Sequence, residues 1–128
     1  MSDLSYHEAY AVAAATTLAV EAAVVFIVAR RERLLHSAWR IAGAVVVANA
    51  LTHPALWYVP YFAFPGVLTP GNHALYVGVG EAAAFVVEAA AYWALLARGR
   101  PWLAVALSAL ANAASYGAGL IVGRLTGA

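Results

Sequence analysis

The sequence predicts an all-α integral membrane protein with four transmembrane helices, built as a single domain over residues 1–128. Of its residues, 65% are hydrophobic and 10% are charged, whereas a soluble domain is about half apolar and a quarter charged. Four apolar segments are each long enough to cross a bilayer, which takes about 20 residues. The chain contains no Cys, which excludes disulfides and thiolate metal sites.

The predicted helices are separated by short turns and one longer connection. The first pair is joined by an Arg-rich turn and the last pair by a turn at 98–101. The connection at 57–70 is uncharged and aromatic, and Pro60, Pro65 and Pro70 predict that it lacks regular structure. It could lie along the membrane interface or dip in as a re-entrant segment, and we expect it to cap a cavity at the outer side. Asn72 is expected to N-cap the third helix. The helices themselves are expected at about residues 7–29, 38–58, 73–97 and 102–122.

The Arg residues predict an orientation. Six of the seven basic residues lie in the turns at 30–40 and 98–100, which four helices place on one side, and Arg124 alone lies on the other. Cytoplasmic loops carry an excess of Arg and Lys. We therefore expect both turns in the cytoplasm and both termini outside it, in a bacterial inner membrane.

The two halves of the chain resemble one another. Glu21 and Glu88 each stand in a Val-Glu-Ala-Ala run, and Asn49 and Asn112 each stand between two alanines in the following helix. Both halves start on the same side, so the sequence predicts two similar hairpins in a parallel pseudo-repeat around a polar core. Glu21 and Glu88 should then lie at equal depth, and the two Asn side chains should pair near the midplane.

Three glutamates lie inside predicted helices. Glu81 and Glu88 are seven residues apart and share one helix face. An acid near the bilayer centre costs roughly 2.5–3.5 kcal/mol on insertion scales and usually marks a functional site. The structural alternative is that Glu21 and Glu88 form a protonated pair, hydrogen-bonded by polar side chains of the core: Asn49, Asn112, Ser108 and Thr17.

His53 and Glu81 have no counterparts in the other half, and both lie towards the outer face. We expect them to face each other in a cavity open to the outside. Imidazole and carboxylate are both metal ligands, so a divalent metal ion is the one cofactor that the sequence suggests. No HxxxH or HExxH spacing accompanies them, and a His–Glu hydrogen bond or a proton relay would explain the pair equally.

The predicted function is to bind or move a proton, a metal ion or a small polar solute through the polar core. One alternative is a membrane metalloenzyme that acts on a lipid or quinone, so enzymatic activity is left open. Another is a non-catalytic subunit, or a homo-oligomer, assembled through the GxxxG pair Gly119 and Gly123. The lipid bilayer is the expected partner, and Arg30–Arg40 lies too near the membrane to suggest nucleic acid. The candidate site residues are Glu21, Asn49, His53, Glu81, Glu88 and Asn112.

Overall fold

A computed structural model describes residues 5–64, 66 and 69–126. It confirms the four-helix all-α fold, and the described part contains no strand. All of the helices are long and apolar enough to span a membrane. They pack in a ring in which each helix contacts two neighbours and α1 closes against α4. The helices are α1 (Tyr6–Arg31), α2 (Ala38–Ala63), α3 (Pro70–Leu95) and α4 (Pro101–Thr126).

The second helix is longer than the sequence suggested. It continues through Pro54 and Pro60 to Ala63, so the prediction that the connection is irregular from residue 57 is wrong for 57–63. A proline removes one backbone donor, but membrane helices tolerate this where neighbouring groups satisfy the freed backbone. The carbonyls that lose their helical donors are those of Ala50 and Leu56. The Tyr6 hydroxyl donates to a different carbonyl in this part of α2, that of Trp57. Pro65 lies outside the described residues.

The third helix begins three residues earlier than expected. Pro70 occupies its first turn after the N-cap residue Thr69, where the missing N–H of a proline is no loss. The prediction that Asn72 caps this helix is therefore wrong. Asn72 lies inside the first turn, and its amide donates to the carbonyl of Gly66 over 3.2 Å.

Both Arg-rich turns meet at one end of the bundle, which we call the Arg end. Arg100 forms an ion pair with Glu32 at 2.7 Å, joining the two turns. Arg40 Nε donates to the carbonyl of Leu95 over 3.1 Å, and a His36 ring nitrogen lies 2.7 Å from the carbonyl of Leu96. The end of α3 is thus tied to the start of α2. The opposite end, where α1 and α3 begin, is called the terminal end.

The packed apolar core fills the half of the bundle near the Arg end. Most of its residues are small. Alanines pack between four larger side chains that are each at most 1% exposed, namely Val25, Ile41, Tyr92 and Leu107. Small residues let membrane helices approach closely. Large apolar side chains such as Ile27 lie exposed on the outside, where a membrane protein meets lipid tails.

The buried positions of the two hairpins recur at constant offsets. Every buried residue of α2 up to Thr52, apart from Asn49, has a buried counterpart 63 residues later in α4, and Asn112 opposite Asn49 is partly buried. In α1, the buried positions match buried positions 67 residues later, in and just after α3. The predicted pseudo-repeat stays a prediction. The matched pairs are 41/104, 44/107, 45/108, 48/111, 52/115, 21/88, 25/92 and 29/96.

Candidate functional site

Two buried glutamates mark the boundary between the packed half and the open half of the bundle. Glu21 on α1 is 1% exposed and Glu88 on α3 is 2% exposed. Glu21 Oε2 accepts a hydrogen bond from Asn49 Nδ2 over 2.6 Å, and its Oε1 accepts one from Ser115 Oγ over 3.1 Å. Each oxygen of this carboxyl therefore has one partner, supplied by a different helix.

Glu88 has the same two kinds of partner, one amide and one hydroxyl, again with one from each hairpin. Its Oε1 accepts from Thr52 Oγ1 over 2.9 Å, and its Oε2 accepts from Asn112 Nδ2. Each carboxyl thus binds the amide of its own hairpin and a hydroxyl of the other hairpin. These crossed hydrogen bonds join all four helices.

Some of the expected partners are different. The two Asn side chains do not pair with each other as predicted, because each amide donates to a glutamate instead. Ser108 donates to the backbone carbonyl of Phe85 over 2.8 Å, and the Thr17 hydroxyl lies 3.2 Å from His53 Nε2. The hydroxyls that reach the acids come from Ser115 and Thr52, one turn further along their helices than Asn112 and Asn49.

A cavity of about 530 Å³ runs from the terminal end to the two glutamates, and it is not enclosed. This volume lies in the range of small-molecule sites, roughly 300–1,000 Å³. Apolar and aromatic residues form most of its wall, while Glu21, Glu88, Ser115 and Asn112 form its inner end. The packed core lies beyond that inner end, towards the Arg end.

His53 and Glu81 both line this cavity, but no direct hydrogen bond joins them. His53 bonds to Thr17 instead, and Glu81 has no hydrogen-bond partner among the described residues. No group of three His, Asp or Glu suited to a metal ion occurs in the described part of the chain. The assignment of His53 and Glu81 as metal ligands stays a prediction.

The cavity wall also carries polar atoms without a partner. Within the described ranges, His53 Nδ1 and the Tyr76 hydroxyl are buried and make no hydrogen bond, and both side chains line the cavity. An unsatisfied buried polar group costs about 1–3 kcal/mol. Together with the unpartnered carboxyl of Glu81, these atoms offer three polar contacts to a molecule inside the cavity.

Aromatic rings close α1 against α2 at the terminal end. The ring of Tyr6 stacks on that of Tyr61 with centroids 4.5 Å apart, and Tyr10 lies edge-on to Tyr58 at 5.0 Å. Of these four residues, Tyr6 also lines the cavity. The motif glycines Gly119 and Gly123 line the cavity as well, and their role in assembly is untested.

Comparison with known proteins gives no match: no protein family, no characterised protein and no solved structure resembles this chain significantly. The function has to be inferred from the geometry of the cavity.

Proposed function

We propose that this protein binds a small organic solute carrying a positive charge in the cavity, as part of a route across the membrane. The observation that carries the proposal is the charge of the cavity lining. Three glutamates line it, namely Glu21, Glu81 and Glu88, and within the described part of the chain no Arg does. Acidic residues in a low-dielectric cleft concentrate cations.

The size of the cavity favours an organic cation over a bare metal ion. A metal ion needs several ligands at about 2.0–2.6 Å, whereas the 530 Å³ cavity is lined mainly by apolar and aromatic side chains. Aromatic faces such as those of Tyr6 and Trp57 also attract organic cations. Glu81 is the group proposed to meet the charge first, because its carboxyl is not already engaged by amide and hydroxyl donors.

The proposed orientation follows the Arg distribution. With six Arg at one end of the bundle, the positive-inside rule places the Arg end in the cytoplasm. The cavity would then open to the outside of a bacterial inner membrane, and the packed core would separate it from the cytoplasm. Release on the other side would require the helices of the Arg half to move apart.

Thermal unfolding of the purified protein in detergent tests solute binding. The probes are primary and quaternary alkylammonium ions, with Na⁺, Mg²⁺ and Zn²⁺ as metal ions alone and erythritol as a neutral polar solute. A ligand at 100 times its Kd stabilises the folded state by about 2.7 kcal/mol. We expect an alkylammonium ion to raise the unfolding temperature of the wild type and of Glu32→Gln, but not of Glu81→Gln.

The Glu32→Gln variant is the matched control, because Glu32 lies in a turn at the Arg end, far from the cavity. Stabilisation by a metal ion alone would overturn the organic-cation proposal in favour of a metal site. Stabilisation by erythritol alone would overturn the requirement for charge. No stabilisation by any probe, or equal stabilisation of Glu81→Gln, would overturn the proposal as a whole.

A further inference from the structure

The two Asn side chains of the site are fixed as hydrogen-bond donors. Asn49 Nδ2 lies 3.1 Å from the backbone carbonyl of Val45, and Asn112 Nδ2 lies 3.0 Å from that of Ser108. A carbonyl oxygen only accepts hydrogen bonds, so the atom facing it in each Asn must be the NH₂ group. The same NH₂ group faces a glutamate. One oxygen of each glutamate, Oε2, is therefore always an acceptor.

The other oxygen of each glutamate faces a hydroxyl that can either donate a hydrogen bond to it or accept one from it. Ser115 Oγ lies 3.1 Å from Glu21 Oε1 and 3.2 Å from the backbone carbonyl of Asn112. A hydroxyl has one hydrogen to donate and can also accept. If Glu21 is ionised, the Ser115 hydroxyl donates to it. If Glu21 carries a proton on Oε1, the acid donates to Ser115 Oγ, and the hydroxyl turns to the backbone carbonyl.

Glu88 meets the same arrangement on the other side of the bundle. Thr52 Oγ1 lies 2.9 Å from Glu88 Oε1 and 3.2 Å from the backbone carbonyl of Ala48. Either protonation state of Glu88 can thus be matched by rotation of one hydroxyl, with every donor still bonded. Fixed donors around a buried carboxyl would favour its charged form, and fixed acceptors would favour its neutral form.

We propose that Glu21 and Glu88 form a reversible proton-binding site, with the hydroxyls of Ser115 and Thr52 as the groups that switch hydrogen-bond direction. A proton enters from the cavity, bonds to Oε1 and leaves by the same path, while the heavy atoms stay in place. Proton binding itself does not depend on the proposed function. One consequence rests on it: a cation that enters the cavity would displace a proton from a glutamate, so the net charge at the inner end stays the same.

Among the described residues, no cationic side chain pairs with Glu21 or Glu88, so a proton is the partner best placed to neutralise these carboxylates. On α3 the titratable groups nearest to Glu88 in the sequence are Tyr92, which is buried in the core, and Glu81, which lines the cavity. His53 on α2 lines the same cavity. At this level α4 contributes amide and hydroxyl groups from Asn112 and Ser115. The one ion pair within the described ranges, Arg100 with Glu32, lies in the turns at the Arg end.

Infrared difference spectroscopy between acidic and alkaline buffer tests the proposal on the full chain in lipid nanodiscs, without any solute. A protonated carboxyl shows its own C=O stretching band, and that band moves to lower frequency when the acid donates a hydrogen bond. We expect acidification to produce bands that disappear in Glu21→Gln and Glu88→Gln. Ser115→Ala should raise the frequency of the Glu21 band, and Thr52→Val should raise that of the Glu88 band.

Thr16→Val is the matched control, because Thr16 lines the cavity but makes no hydrogen bond to a carboxyl; it should leave both bands in place. Far-ultraviolet circular dichroism confirms that each variant keeps its helices. The absence of both carboxyl bands would overturn the proposal, as would bands that Ser115→Ala and Thr52→Val do not move, or that Thr16→Val moves equally. Since no solute is present, these outcomes are independent of the alkylammonium result.

Discussion

The hydrogen bond between Asn49 and Glu21 gives a prediction with a magnitude that the structure allows us to work out. Both side chains are at least 96% buried, since Asn49 is 4% exposed and Glu21 is 1% exposed, and the bond is 2.6 Å long. A hydrogen bond to a charged group contributes about 1.5–3 kcal/mol, while polar contacts between membrane helices average about 0.6 kcal/mol and reach about 1.7. Asn49→Leu, which keeps the volume and removes the donor, should therefore cost about 1.5–2 kcal/mol.

The assay is reversible unfolding in mixed detergent micelles at alkaline pH, followed by circular dichroism. In the Glu21→Gln background, where the acceptor is neutral, Asn49→Leu should cost about 1 kcal/mol less, since neutral hydrogen bonds are weaker. In the Glu88→Gln background the cost of Asn49→Leu should change less than in the Glu21→Gln background, because Glu88 makes no hydrogen bond to Asn49 and is linked to Glu21 by hydrogen bonds only indirectly, through Asn112 and Ser115. A cost below about 0.5 kcal/mol, or the same cost in all three backgrounds, would refute the reasoning.

Two further predictions concern packing and orientation. A Cβ at Gly80 would lie 2.6 Å from Leu56 Cδ2, so Gly80→Leu should destabilise the fold by about 1–3 kcal/mol, and Leu56→Ala should recover part of that loss. Gly78→Leu is the control, because a Cβ at Gly78 meets no atom within 4 Å. An equal cost at both glycines would show that the α2–α3 contact is not tight. A reporter enzyme fused after residue 128 should be active outside the cytoplasm, because six Arg lie at the opposite end of the bundle; activity inside the cytoplasm would reverse the proposed orientation.

The sequence was sufficient for the number and type of the helices because bilayer-length apolar runs and Arg-rich turns are local signals. It was less reliable at Pro54 and Pro60. Proline usually ends a soluble helix, but α2 continues through both in a setting where neighbouring helices can satisfy the freed backbone. The limits of helices in membranes depend on such neighbours, and these neighbours are not visible in the local sequence.

For the candidate site, too, the sequence indicated some residues correctly but not the contacts between them. Glu21, Glu88 and the two Asn could be singled out because polar residues inside apolar helices are conspicuous. Their actual partners depend on helix rotation: Ser115 meets Glu21 from 94 residues away, and the expected donor Ser108, two turns earlier on α4, faces Phe85 instead. The predicted repeat offers one sequence signal that could have identified these hydroxyls, because Thr52 and Ser115 stand three residues after Asn49 and Asn112 respectively.

The central claim is that a cavity open at the terminal end reaches Glu21 and Glu88 and stops there. Labelling of single cysteines with a small membrane-impermeant thiol reagent tests it directly, since the natural chain contains no Cys. Ser115→Cys places a thiol at the inner end of the cavity, and Ser108→Cys places one seven residues away in the packed core, where the side chain is 0% exposed. We expect that reagent on the terminal side labels residue 115, and that reagent on neither side labels residue 108. An unlabelled residue 115, or a residue 108 labelled from the Arg end, would contradict it.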